Sequence, residues 1–241
     1  MSPDFLSEVT IQAGGAIEND RRFALTLRST LFDSNTPHWL PKTNFIALMR
    51  NETLAKLETI FHDETDTLKI FQDGKQVINA KLIDKLDCII LENFFSNYLN
   101  CGITGKLRFV EAKGETIFTD KKKKLISIIN LASVRDIEKS IGKSIDPTRF
   151  RANIYIDGLR PWSEFNWVDK MFSCGGMVIE IKKRIERCSA INVDPKTGVR
   201  DINLVNLIQN NFGHIDMGVF AEVKKGGHIA VGNNLRQCPN I

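Results

Sequence analysis

Residues 177–185 restrict this chain more than any other stretch. Val178, Ile179, Ile181 and Ile185 are interleaved with Glu180, Lys182, Lys183 and Arg184, the alternation of a β-strand with one wet face. Asp194-Pro195-Lys196-Thr197-Gly198 then spells a turn: Asp for an Asx cap, Pro to hold φ, Gly to take positive φ. Cys188 therefore falls where a strand gives way to an irregular loop, beside the apolar run 190–193 and close to Arg184 and Arg187. Neighbouring cations favour the thiolate, the form that attacks electrophiles and binds metals. A buried structural Cys188 is the competing reading, because free cysteines are among the most buried residues.

Shorter runs repeat the theme. Residues around Val9 and Ile11, then 20–26, 67–71, 76–79, 107–110 and 125–129, read as strands, and Gly14-Gly15 breaks the first. Asp73-Gly74 between two of them is a hairpin signal. Residues 33–42 are a loop by their turn chemistry. Residues 80–100 have a helical period instead. Leu82, Ile83, Leu86, Ile89, Ile90, Phe94 and Leu99 recur at steps of three and four, with Asn100-Cys101-Gly102 as the stop. Residues 130–134 open a second helix that runs through Ile137 to Ile141, with Ser133 placed to cap it and Asp136 completing an approximate capping box. Such an N-terminus is a natural anion site. Residues 205–208 suggest a further helical turn.

Arg149, Arg151 and Asn153 open a strand that continues through Ile156, and their spacing puts all three on one face. A donor-rich face on an apolar strand needs a partner, and the guanidinium fork suits phosphate. Arg21, in Asp20-Arg21-Arg22-Phe23, reads as part of a solvated strand end. Trp162, Phe165 and Trp167 read as packing residues and His214 as a hydrogen-bonded core residue. His38 and His62 read as surface residues, and the lysine run 121–124 as a solvated loop.

With 241 residues, 42% of them hydrophobic, the chain can bury one sizeable core or two small ones. A net charge of +4 is too mild to call for nucleic acid and fits a local basic pocket for a phosphorylated ligand. The five cysteines are odd in number and contain no CxxC pair, which argues against a disulfide scaffold, a zinc ribbon or a resident iron–sulfur centre and points to a reducing cytosol. With no signal peptide and no apolar run of spanning length, a soluble cytoplasmic protein without a membrane partner is expected.

The stretch R-C-S-A-I-N-V-D-P-K-T-G at 187–198 resembles the signature of MOSC domains, and R-F-R-A-N at 149–153 resembles a second motif of that family. D-R-R-F at 20–23 and Ala132-Ser133-Val134 resemble two weaker ones, and the family pattern at the end of the domain matches around residues 213–221 and 226–232. The resemblance implies a mainly β fold with short helices: a MOSC β-barrel over 95–241, preceded by a β-rich region and bridging helix over 1–94. It implies molybdenum cofactor binding, with Cys188 as catalytic residue and metal ligand, and Arg21, Ser133, Arg149, Arg151, Asn153 and Asp194 around the pterin and its phosphate. Residues 2–9 resemble the family's second segment, so the Lys-bearing strand that precedes it in longer members is expected to be missing. That would leave a barrel edge unpaired and cofactor binding weaker and more sensitive to salt.

Two function classes follow. The first is an oxidoreductase that reduces small N-hydroxylated or related N–O substrates by oxo transfer at a Cys-ligated molybdenum. It would draw electrons from a separate flavoprotein or iron–sulfur protein. The second is a non-redox carrier in which Cys188 holds a persulfide or the cofactor itself. Pyridoxal phosphate is not expected in this chain.

Overall fold

Asp73 and Gly74 both take positive φ, 50° and 73°, and close a tight hairpin where the sequence places one. The computed structural model describes residues 3, 5–27, 30–33, 38–99, 107–112, 117–119 and 122–239. In chain order the regular elements are β1 (Glu8–Ile11), β2 (Phe23–Leu27), β3 (Leu57–His62), β4 (Thr67–Gln72), β5 (Lys75–Lys81), α1 (Lys85–Tyr98), β6 (Leu107–Glu111), β7 (Ile126–Asn130), α2 (Leu131–Ile141), β8 (Ile154–Ile156), β9 (Met171–Cys174), β10 (Met177–Glu186), α3 (Leu204–Phe212), β11 (Asp216–Lys225), β12 (Gly227–Ala230) and β13 (Arg236–Gln237). The fold is mainly β with short helices. The helix stop expected at 100–102, Lys121 of the lysine run, and residues 34–37 of the loop lie outside the described residues.

The chain forms two compact units. One comprises Met1–Asp4, Arg21–Lys122 and Val193–Arg200. Its β3, β4 and β5 form an antiparallel meander, and β2 pairs with β6. Leu57, Ile70, Leu91, Phe95 and Leu107 meet in its core. Asp84 caps α1 by accepting from the Leu86 N–H at 2.7 Å, so the helix starts later than its apolar period suggests, and Ala80 and Lys81 belong to β5. The buried stripe also differs from the expected one. Leu91, Phe95 and Leu99 face the core, while Ile83, Leu86, Ile89 and Ile90 are exposed. The helix is apolar on two sides, and packing on β5 and β6 selects the side that carries Phe95.

The second unit comprises Phe5–Asp20, Lys123–Asn192 and Asp201–Ile241. Its main sheet has the order β13-β9-β10-β11-β7-β8, antiparallel except for β7 and β8. It curls as a half-barrel, with β13 and β8 as its two edges. The alternation in 177–185 is realised in β10, where Met177, Ile179, Ile181 and Ile185 are buried. β11 lies close to β7 at Gly218, where a Cβ would sit 2.3 Å from the Ile128 carbonyl oxygen and where φ is +75°. A second sheet pairs β1 with β12 and delivers Ile11 to the core, 1% exposed. α2 and α3 pack their Val134, Ile137, Leu204 and Ile208 against Ile129, Phe150 and Met217 in a neighbouring cluster.

Candidate functional site

β10 ends at Glu186, and the chain passes through Arg187 and Cys188 into a 3-10 turn, Ser189–Asn192. The turn is anchored by Ile191, 3% exposed, packed among Phe150, Leu204 and Met217. Cys188 is thus held at the end of a rigid strand with a free, half-buried thiol. The two arginines close to it in sequence are engaged: the Arg184 guanidinium lies 4.4 Å from the Phe165 ring centroid, and Arg187 donates to the carbonyls of Met217 and Phe150.

The Asp194 turn, in the other unit, forms as expected. The Asp194 Oδ1 accepts from the N–H groups of Lys196 and Thr197 and from the Thr197 hydroxyl, at 2.8–3.0 Å, and Gly198 takes φ +65°. That oxygen shapes the loop.

The strand expected to begin at Arg149 is absent. Residues Pro147–Phe150 are a 3-10 turn, and β8 starts only at Ile154. Asp146 caps the turn by accepting from the Thr148 N–H at 2.9 Å, Pro147 occupies its first position, and the Tyr155 hydroxyl accepts from the Ala152 N–H at 3.1 Å. Asp-Pro-Thr is a helix-start signal, and it overrides the strand pattern that follows. The one-face argument for Arg149, Arg151 and Asn153 therefore fails, and the three diverge. Arg149 is 4% exposed and pairs with Asp201 at 2.8 Å. Burial pushes the Asp201 carboxyl up, but its bonds to Arg149 and Lys143 outweigh that and hold it below the usual range. Arg151 is exposed and left-handed, with φ 51°. The Asn153 amide is built into the scaffold: its Nδ2 donates to Asp20 Oδ2 at 2.8 Å, and its Oδ1 accepts from the Ser127 N–H at 3.0 Å and from the Ser127 hydroxyl at 2.8 Å.

Arg21 lies in a turn rather than in the strand, with φ 55°, and β2 begins two residues later. Among the described residues, Arg21, Arg151 and Trp162 are the positive-φ positions that are neither glycine nor Asn or Asp. Such backbones cost about 1–3 kcal/mol each and gather at functional sites.

Ser133 does not cap α2. Asn130 does, its Oδ1 accepting from the Ala132 N–H at 3.0 Å, because the helix starts three residues earlier than the Ser-x-x-Asp spacing suggests. Ser133 is fully buried, donates to Glu164 at 2.8 Å and accepts from the Trp162 N–H at 2.8 Å. Asp136 accepts from the Trp162 indole at 2.7 Å. Glu164, also fully buried, takes a second bond from Asn130 Nδ2 at 2.9 Å, and burial pushes its carboxyl above the usual range. His214 packs edge-on to Trp162 and Phe165, and its Nδ1 accepts from the Asp216 N–H; it is hydrogen-bonded as expected but half-buried rather than in the core.

The second unit brings together two of the expected site segments. Arg187 Nη1 reaches the Phe150 carbonyl at 2.9 Å, and Arg149 Nη1 approaches the Asn192 carbonyl at 3.4 Å, so the turn bearing Arg151 is tied to the turn bearing Cys188. A soft thiol and an exposed arginine are of the donor types that a metal-bearing, phosphorylated cofactor requires, and in that respect these residue types fit one. Ser133, Arg149 and Asn153 present side chains already bonded within the protein. Glu164, Asp20, Asp201 and Arg187 complete the network. Of these, Asp20 and Arg187 lie in motifs legible in the sequence, whereas Glu164 and Asp201 left no local signal there.

The family profile of the MOSC domain matches residues 114–236, more than half of the chain, and the chain belongs to the MOSC domain family. A molybdenum cofactor sulfurase of Caenorhabditis briggsae is 26% identical over 182 residues, which cover 70% of this chain and 24% of that protein. The Caenorhabditis elegans sulfurase is 34% identical over 142 residues, 58% of this chain and 19% of that one. The chain thus spans about a quarter or less of the length of these relatives. Among solved structures, YiiM from Geobacillus stearothermophilus aligns with a TM-score of 0.38 at 18% identity, over 47% of this chain and 54% of that chain. Among the described residues, no helix is long and apolar enough to cross a membrane.

Proposed function

We propose that this chain binds a molybdenum cofactor, with Cys188 as the thiolate ligand of the metal and Arg151 at its phosphate, and that it reduces N-hydroxylated or related N–O substrates. The observation that carries the reading is the pair of turns described above: a half-buried thiol at the end of β10, hydrogen-bonded through its neighbour Arg187 to the turn that exposes Arg151. Family membership and relatives called molybdenum cofactor sulfurases support the cofactor half of the reading.

When bound, the cofactor would supply two-electron redox chemistry. The protein supplies the rest. Cys188 offers a soft, single-atom ligand. Arg151 offers charge-assisted hydrogen bonds to a phosphate from a left-handed backbone position, φ 51°. Phe150 and Ile191, in the same two turns, are buried in one apolar cluster with Met217. Reduction of an N–OH group to N–H releases water and consumes two electrons and two protons. The electrons are assigned to a separate flavoprotein or iron–sulfur donor, and the free cysteines suit a reducing cytosol.

The names of the relatives favour one other reading, in which Cys188 carries a persulfide or holds the cofactor for delivery. One experiment separates them. The full chain is loaded with molybdenum cofactor, its metal is counted, and benzamidoxime reduction is followed with a chemical electron donor. Wild type should hold stoichiometric molybdenum and form benzamidine, and Cys188→Ala should lose both while keeping its fold. Full metal and full activity in Cys188→Ala would overturn the ligand assignment. Metal without reduction, together with a persulfide on Cys188 by mass spectrometry, would select the carrier.

A further inference from the structure

Arg187 directly precedes Cys188, and its side chain is bonded to backbone on two other elements. Its Nε donates to the Met217 carbonyl at 2.8 Å, and its Nη2 reaches the same oxygen. Its Nη1 donates to the Phe150 carbonyl at 2.9 Å, and its own peptide N–H donates to the Ile215 carbonyl at 3.0 Å. The two side-chain acceptors belong to buried residues, Met217 at 0% and Phe150 at 1% exposed. One guanidinium therefore joins three backbone points: the residue before Cys188, the start of β11, and the peptide that leads into Arg151. A planar fork is needed for this, because a lysine ammonium cannot present parallel donors to one carbonyl while reaching a second.

We propose that Arg187 is a positioning residue that sets the Cys188 sulfur at a fixed reach from the Arg151 turn. A ligand with a soft metal at one end and a phosphate at the other is then selected by its span as well as by its two groups. The inference rests on the reading of Cys188 as the metal ligand. Arg187 itself touches neither end. It acts through backbone, as do the outer hydrogen bonds that orient ligands in metal sites, whose loss typically lowers metal affinity about 10–100-fold.

The test uses the full chain as wild type, Arg187→Lys and Arg187→Met. Iodoacetamide labelling of Cys188 is followed by site-resolved mass spectrometry, with Cys174 on β9 as the internal reference. Molybdenum content is measured after exposure to limiting molybdenum cofactor. Arg187→Lys should change the Cys188-to-Cys174 labelling ratio and lower molybdenum affinity by about tenfold. A labelling ratio and loading equal to wild type would overturn the proposal. So would proportionate acceleration at both cysteines, which marks general loosening. If Arg187→Met fails to fold, the lysine variant decides. If Cys188→Ala loads metal as well as wild type, the cofactor reading fails, and the labelling ratio alone still judges Arg187.

Discussion

Glu164 is the residue whose charge is hardest to accommodate. It is fully buried, and its hydrogen bonds come from neutral groups, Asn130 and Ser133. Burial raises its pKa above the ordinary carboxylate value of about 4.3. Below the unfolded-state pKa both states are protonated and the full stability is present. As pH rises towards the folded-state value, the unfolded chain releases its proton first, so stability falls until the folded protein ionises too. Glu164→Gln keeps an acceptor for Asn130 and can donate to Ser133. Its denaturation midpoint should therefore gain on wild type as pH rises above the ordinary carboxylate value of about 4.3. Urea titrations across that range check this, and parallel pH profiles would refute it.

At the scale of elements, α1 shows how packing chooses between two apolar faces. Leu91 and Phe95 lie in the core at 0% and 1% exposure, whereas Leu86 is 70% exposed. Glu92 adds a bond to the neighbouring strand, its Oε1 accepting from the Phe109 N–H at 2.9 Å. Leu91→Ala should cost about 2–5 kcal/mol, as a cavity in a packed core does. Leu86→Ala should stay within about 0.5 kcal/mol of wild type. Chemical denaturation of the two variants checks the pair, and equal losses would mean that the helix buries both faces.

At the scale of the molecule, the second unit is assembled from distant parts of the chain. Residues Phe5–Asp20 belong to it, and they bring β1, the core residue Ile11 and the Asp20 carboxylate that receives Asn153. The matched family region begins only at residue 114. A fragment of residues 114–241 contains the candidate Cys188 and Arg151 yet lacks these contacts. Losing the buried isoleucine alone removes about 1.5–3 kcal/mol, and each lost kcal/mol lowers the melting temperature of a domain of about 100 residues by roughly 4–8 °C. The fragment should therefore melt well below the full chain by calorimetry. A fragment as stable as the full chain would show that residues 5–20 are dispensable.

By itself the sequence determined many of the strands and turns, though not the strand expected to begin at Arg149, which is a 3-10 turn. The alternation in 177–185, the Asp73-Gly74 hairpin and the Asp194–Gly198 turn are local, set by side-chain periodicity and backbone preference within a few residues, and all appear where the pattern puts them. The position of Cys188 at a strand end was legible for the same reason. What only the tertiary structure decided is which polar groups are already taken. Arg149, Asn153 and Ser133 carry suitable donors, but partners 26 to 52 residues or more than a hundred residues away in sequence engage them: Asp201, Asp20, Ser127 and Glu164. A buried polar group must find a hydrogen-bond partner wherever the fold supplies one, and no local pattern encodes a partner that distant. The same holds for α1, whose apolar period permits two faces until a sheet covers one of them.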